Sequence, residues 1–132
     1  MAEEAHGQEI SLRVPGEMAY ALVIRTALGG VAILKDLDVD QMDDLRAAAD
    51  EACDCLLHQG RAVSAVQVKV KDGGRSLTVS LEAEFFGPRD TSCAVQTDVS
   101  RAVLETLIPR VALHCAEDGC VCRIDLTLLK AA

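Results

Sequence analysis

At 132 residues, half of them apolar and 26% charged, the chain is long enough for one folded domain with a hydrophobic core and too short for two independent ones. A formal net charge of -8, with no cluster of lysines and arginines interleaved with aromatics, repels a phosphate backbone and argues against nucleic-acid binding. Trp is absent and only Tyr20, Phe85 and Phe86 are aromatic, so the core has to be aliphatic.

The opening stretch MAEEAHGQE is acidic and polar. It lacks the basic and apolar regions of a signal peptide, and residues 1–8 are expected to form a flexible lead-in. No apolar run reaches about 18 residues, so the expectation is a cytoplasmic chain without a membrane span. The six cysteines are expected to be reduced thiols, because the chain is larger than the small secreted scaffolds that need disulfides and shows no export signal.

EISLRV alternates Ile10, Leu12 and Val14 with polar neighbours and stops at Pro15-Gly16, which predicts a half-buried strand ending in a turn. GEMAYALVIRTALGGVAILKD carries apolar residues at helical spacing and predicts a first helix over about 17–34, with Gly29 and Gly30 marking a weak point or a close contact. Asp38 followed by Gln41 resembles a capping box. Met42, Leu45, Ala49, Ala52 and Leu56 then repeat at intervals of three and four, predicting a second helix over about 39–59 that stops at Gly60.

AVSAVQVKV and RSLTVSLEAEF alternate about Asp72-Gly73-Gly74 and read as a β-hairpin. FGPRDTSCAVQT reads as a loop. From Asp98, VSRAVLETLI is helical and is closed by Pro109. RVALHCA and CVCRIDLTLLK form a second hairpin around Glu117-Asp118-Gly119. The order β-α-α-β-β-α-β-β, with strands that alternate apolar and polar, predicts a two-layer α/β (α+β) sandwich. Its sheet is expected to be mixed, mainly antiparallel, and covered by helices on one face.

On the second helix the apolar stripe is opposed by Asp44, Glu51, Cys55 and His58. From pattern alone this opposite stripe is a solvated face. A transition metal held by Glu51, Cys55 and His58 needs a fourth ligand that the helix does not supply. A nucleophilic Cys55 with His58 as base lacks an identifiable oxyanion hole. His114, Cys115, Cys120 and Cys122 come together at a hairpin but lack paired CxxC knuckles, so free cysteines are the simpler reading. The acids Asp36, Asp38, Asp40, Asp43 and Asp44 lack the glycine and terminal glutamate of an EF-hand, and favour the positive end of the second helix. Phe85-Phe86, beside Gly87-Pro88, reads as core packing by default, with a loop anchor or an exposed partner contact as the alternatives.

DDLRAAADEACDCLLHQG, from Asp43 to Gly60, resembles the phrase "DLKxAVSEACTNAVxHA" of the anti-sigma factor and serine-protein kinase family, within the GHKL or Bergerat (histidine-kinase-like) ATPase fold. EISLRVPGEMAYALVIRTALGGVA and LETLIPRVAL are similar to that family's first strand and helix and to its last helix and strand. The resemblance implies that Glu51 holds the place of the base that activates the attacking hydroxyl or water. Cys55 stands where an Asn ligates Mg²⁺, and a thiol is a poor partner for that hard cation. In LTVSLEAEFFGP, Ala83 replaces an Asp that accepts the adenine amino group, and Phe85 replaces a Gly. Asp98 and Ser100 replace phosphate-binding glycines at the last helix, where Asp98 is a good N-cap but repels phosphate. The loop over 86–97 is shorter than a nucleotide lid.

The resemblance therefore implies one domain over 1–132 with a degenerate nucleotide site: a bacterial, pseudokinase-like transcription regulator that binds protein, without ATP, metal or catalysis. The implied partners are a sigma factor or a STAS-type antagonist, with homodimers formed through the sheet and first-helix side. Two alternatives stay open: an active ATP- and Mg²⁺-dependent serine kinase using Glu51, and a cysteine- or metal-based sensor.

Overall fold

The structure is a computed structural model that describes residues 8–93 and 97–130. The expected lead-in, apart from Gln8, and the middle of the expected loop at 94–96 lie outside the described residues. The chain runs through β1 (Glu9–Pro15), a 3₁₀ turn (Met18–Tyr20), α1 (Ala21–Leu34), α2 (Val39–Leu57), β2 (Ala62–Asp72), β3 (Ser76–Phe86), α3 (Thr97–Leu107), β4 (Arg110–Cys115) and β5 (Val121–Leu129). Element order and type follow the expectation.

The five strands form one sheet in the order β1-β2-β3-β5-β4. Every neighbouring pair is antiparallel, so the sheet is not mixed. The reason is topological. Two helices between β1 and β2 return the chain to the end it left, which makes β2 antiparallel to β1. The single helix between β3 and β4 makes those two strands parallel, but β5 folds back between them and pairs antiparallel with both.

Alternation then sorts the faces. Val66, Val68 and Val70 on β2, Leu77, Val79 and Leu81 on β3, and Ile124, Leu126 and Leu128 on β5 are buried in register beneath the helices. Gln67, Lys69, Ser80, Glu82, Arg123 and Asp125 line a polar concavity of about 380 Å³ on the open face. Leu45, Ala49, Ala52 and Leu56 of α2 are buried as the periodicity predicts, while Met42 is half-buried.

The start of α2 is a complete capping box: Gln41 N donates to Asp38 Oδ1 at 2.8 Å and Asp38 N donates to Gln41 Oε1 at 3.0 Å. The helix stops at Leu57, two residues before the expected end. Gln59 turns into the core, where its Nε2 donates to Leu56 O at 3.3 Å and Val121 O at 2.9 Å, tying the helix end to β5. Gly60 follows with φ 77°, a conformation that suits glycine. No helix among the described residues is long and apolar enough to cross a membrane.

Candidate functional site

The α2 stripe opposite the main core is not the solvated face its spacing suggested. Only its C-terminal member, His58, is exposed, with Nδ1 2.8 Å from Asp54 Oδ1; Asp44 and Glu51 are half-buried and Cys55 is 8% exposed. The cover is α3, which packs against α2 and buries Ser100 and Leu104. Ser100 Oγ donates to Glu51 Oε2 at 3.1 Å. Burial pushes the Cys55 thiol above its ordinary pKa, and the nearby carboxylates of Glu51 and Asp54 add to this while a hydrogen bond with Ser100 opposes it. The seam was readable only in retrospect, since Ser100 and Leu104 lie one helical turn apart on α3.

The remaining positions are distributed along β3 and α3. Ala83 is buried on the helix-covered side of the sheet, opposite Val66. Phe85 lies at a β-bulge where β2 shifts register between Val63 and Ala65, half-buried against the core. The Arg61 guanidinium lies 4.6 Å from its ring centroid. Arg61 is further fixed by Nε donating to Gly87 O at 2.9 Å and by Asp118 Oδ2 at 3.0 Å. Phe86 is 58% exposed, so core packing holds for Phe85 and fails for Phe86. Helix α3 starts at Thr97, which places the exposed Asp98 inside the first turn and not at the cap; its charge still complements the helix N-terminus.

The proposed metal sets are not assembled: no group of three or more His, Cys, Asp or Glu among the described residues is placed to hold an ion. His114 Nε2 instead lies 2.9 Å from Asp125 Oδ2 and 3.1 Å from an Arg123 nitrogen, and Cys122 Sγ contacts His114 O at 3.2 Å. Cys53, Cys55, Cys93, Cys115, Cys120 and Cys122 are all free thiols. Cys55, which the resemblance sets at a Mg²⁺ ligand, is a buried thiol, and Ala83, which it sets at an adenine acceptor, carries a methyl group. Neither fits the group the resemblance assigns to it.

Three helices on one face of a five-stranded antiparallel sheet, with α3 closed onto the Glu51 face of α2, define an α/β sandwich of the kind expected from the α2 phrase. No protein-family model matches the chain. It is similar to the serine-protein kinase RsbW of Bacillus mycoides (strain KBAB4), with 24% identity over 102 residues, covering 67% of this chain and 64% of the relative. Among solved structures, it is similar in fold to the RsbU and RsbW domains of Rv1364c from Mycobacterium tuberculosis. That match has a TM-score of 0.69 at 14% identity and covers 92% of this chain and 32% of the other. The chain thus spans less than two thirds of the length of the relative and about a third of the solved chain.

Proposed function

We propose that the chain, as a single domain, is an anti-sigma-factor-like regulatory protein that acts by binding another protein, a sigma factor or a STAS-type antagonist, without binding ATP and without phosphoryl transfer. Its similarity to a serine-protein kinase RsbW supports the regulatory class. The observation that carries the loss of catalysis is the α2–α3 seam. The carboxylate in the place of the base accepts a hydrogen bond from Ser100, and the thiol in the place of the metal ligand is buried beside it. Positioning and electrostatic stabilisation are nearly all that a protein contributes to phosphoryl transfer. Here the position that would hold the metal lacks an oxygen donor, and Asp98 at the start of α3 puts a negative charge where phosphate would sit. The mechanism is occlusion of a partner surface by a folded domain.

One observation favours the other reading: Glu51 is retained and half-buried, not sealed. Calorimetry with ATP and Mg²⁺ separates the two. The expected result is no heat of binding, and micromolar affinity would restore the active kinase with Glu51 as base. Purification with a co-expressed sigma factor or antagonist tests the partner class; recovery of neither, with the chain folded, counts against it.

A further inference from the structure

We infer that the polar concavity on the open face of the sheet is a binding site for a small phosphorylated polyol. The site lies apart from the α2–α3 seam and does not depend on the protein-binding reading. Strand pairing sets its shape. Lys69 of β2, Ser80 of β3 and Asp125 of β5 stand in one row across the sheet, and Lys71, Thr78 and Thr127 stand in the next. Side chains of such rows share a face and lie about 5 Å apart from strand to strand. In these rows β3 contributes short hydroxyls at the centre, while Lys69 and Lys71 rise on one side and Arg123 and Asp125 on the other. The result is a floor of hydroxyls between charged walls. The hollow, about 380 Å³, falls within the range of small-molecule sites, about 300–1,000 Å³.

The free charges select the ligand. Asp125 is engaged by His114 Nε2 at 2.9 Å and Arg123 Nε at 3.2 Å, and Asp72 by Lys35 and Lys130. Lys69 and Glu82 are exposed and have no ion pair among the described residues, and Lys71 reaches Glu9 only at 4.0 Å. Lys69 and Lys71 stand about 7 Å apart on one strand face, so both ammonium groups can reach one phosphate. Thr78, Ser80 and Glu82 lie across from them, where two hydroxyls and a carboxylate meet the hydroxyls of a polyol. No aliphatic or aromatic residue lines the hollow, which leaves a nucleobase or an acyl chain nothing to pack against. The homodimer implied by the resemblance, on the sheet and first-helix side, is compatible with this site. Val68 and Val70 face Ile24 and Leu28 of α1, so Lys69 and Lys71 point to the opposite face. Copies paired along α1 and the edge strand β1 leave the hollow open.

Amide-shift titrations of the isotope-labelled chain with glycerol phosphate, glycerol and inorganic phosphate test this. Glycerol phosphate is expected to bind about tenfold or more tighter than either of the other two, to shift amides of β2, β3 and β5, and to weaken as salt rises. Lys69→Gln/Lys71→Gln is expected to weaken it about tenfold or more. Glu82→Gln is expected to weaken glycerol phosphate and not inorganic phosphate, because the carboxylate meets only the hydroxyls. All three side chains are exposed, so their exchange leaves the core intact. Equal affinity for glycerol phosphate and inorganic phosphate overturns the assignment, since two surface lysines then account for the binding. So does a response that the double variant keeps, or no response at millimolar ligand. A wild-type dimer in sedimentation that the double variant converts to monomer overturns it as well, because a second copy then covers the hollow.

Discussion

At the scale of single residues, Cys55 shows where sequence reading stops. Spacing puts Glu51 and Cys55 on one face of a helix, and the resemblance implies that Glu51 is a retained base position and that Cys55 replaces an Asn. Neither says that α3 will lie on top of them, because that contact joins residues 49 apart in the chain. Thiol chemistry reads this burial directly, since the thiolate is the reactive form. Burial, with Asp50 adding to it, pushes Cys53 up to about 12. Cys55 and Cys120 are also raised by burial, whereas Cys93 and Cys115 are exposed. With an aromatic disulfide reagent at about pH 8, Cys93 and Cys115 are expected to react first, and Cys53, Cys55 and Cys120 only after denaturation. Early labelling of Cys55, located by peptide mass, would contradict the packing of α3 over α2. The Ser100 to Glu51 hydrogen bond belongs to the same seam. Ser100→Ala is expected to lower unfolding free energy by about 0.5–1.5 kcal/mol in urea titrations, and an unchanged midpoint would remove that bond from the account.

For whole elements, legibility follows the distance along the chain over which the cause acts. The capping box at Asp38 and Gln41 and the hairpin turns at Asp72-Gly73-Gly74 and Glu117-Asp118-Gly119 are settled within a few residues, and each was readable as written. The insertion of β5 between β3 and β4 was not, because it is decided by how the inner rows of three strands pack. The close approach of Gly16 to β2 was also hidden. A Cβ there would stand 2.2 Å from the Val63 carbonyl oxygen, beside the bulge that shifts β2 against β3. Gly16→Ala is therefore expected to cost about 1–3 kcal/mol through forced displacement of backbone, seen as a lower denaturation midpoint, and an unshifted midpoint would mean that the bulge yields freely. Asp38→Ala removes one half of the capping box and should cost about 1 kcal/mol, with Asp38→Ser recovering most of it. If alanine and serine behave alike, the cap is not what starts α2.

For the molecule as a whole, one electrostatic tie among the described residues joins elements that are far apart in the chain. Asp72, 10% exposed at the end of β2, receives Lys130 from beyond β5, the Gly74 N–H at 2.9 Å from the hairpin turn, and Lys35 at 3.3 Å from the end of α1. One carboxylate thus joins the helical layer, a turn and the C-terminal strand. These partners, Lys130 foremost, hold its pKa down to about 2, against about 3.9 for an unfolded aspartate. A depressed folded-state pKa means that the contribution to stability is complete above about pH 4 and is lost as pH falls through about 2. Acidification also protonates the excess carboxylates of a chain with 21 acids and 13 bases, which relieves self-repulsion and works in the opposite direction. The wild-type acid limb alone therefore mixes two effects, and the comparison with Asp72→Asn separates them. The variant is expected to melt at a lower temperature near neutral pH, and the gap to wild type is expected to narrow between about pH 4 and about pH 2. A gap that stays constant over that range would show that Asp72 contributes packing and neutral hydrogen bonds, with its charge carrying none of the tie between the two layers.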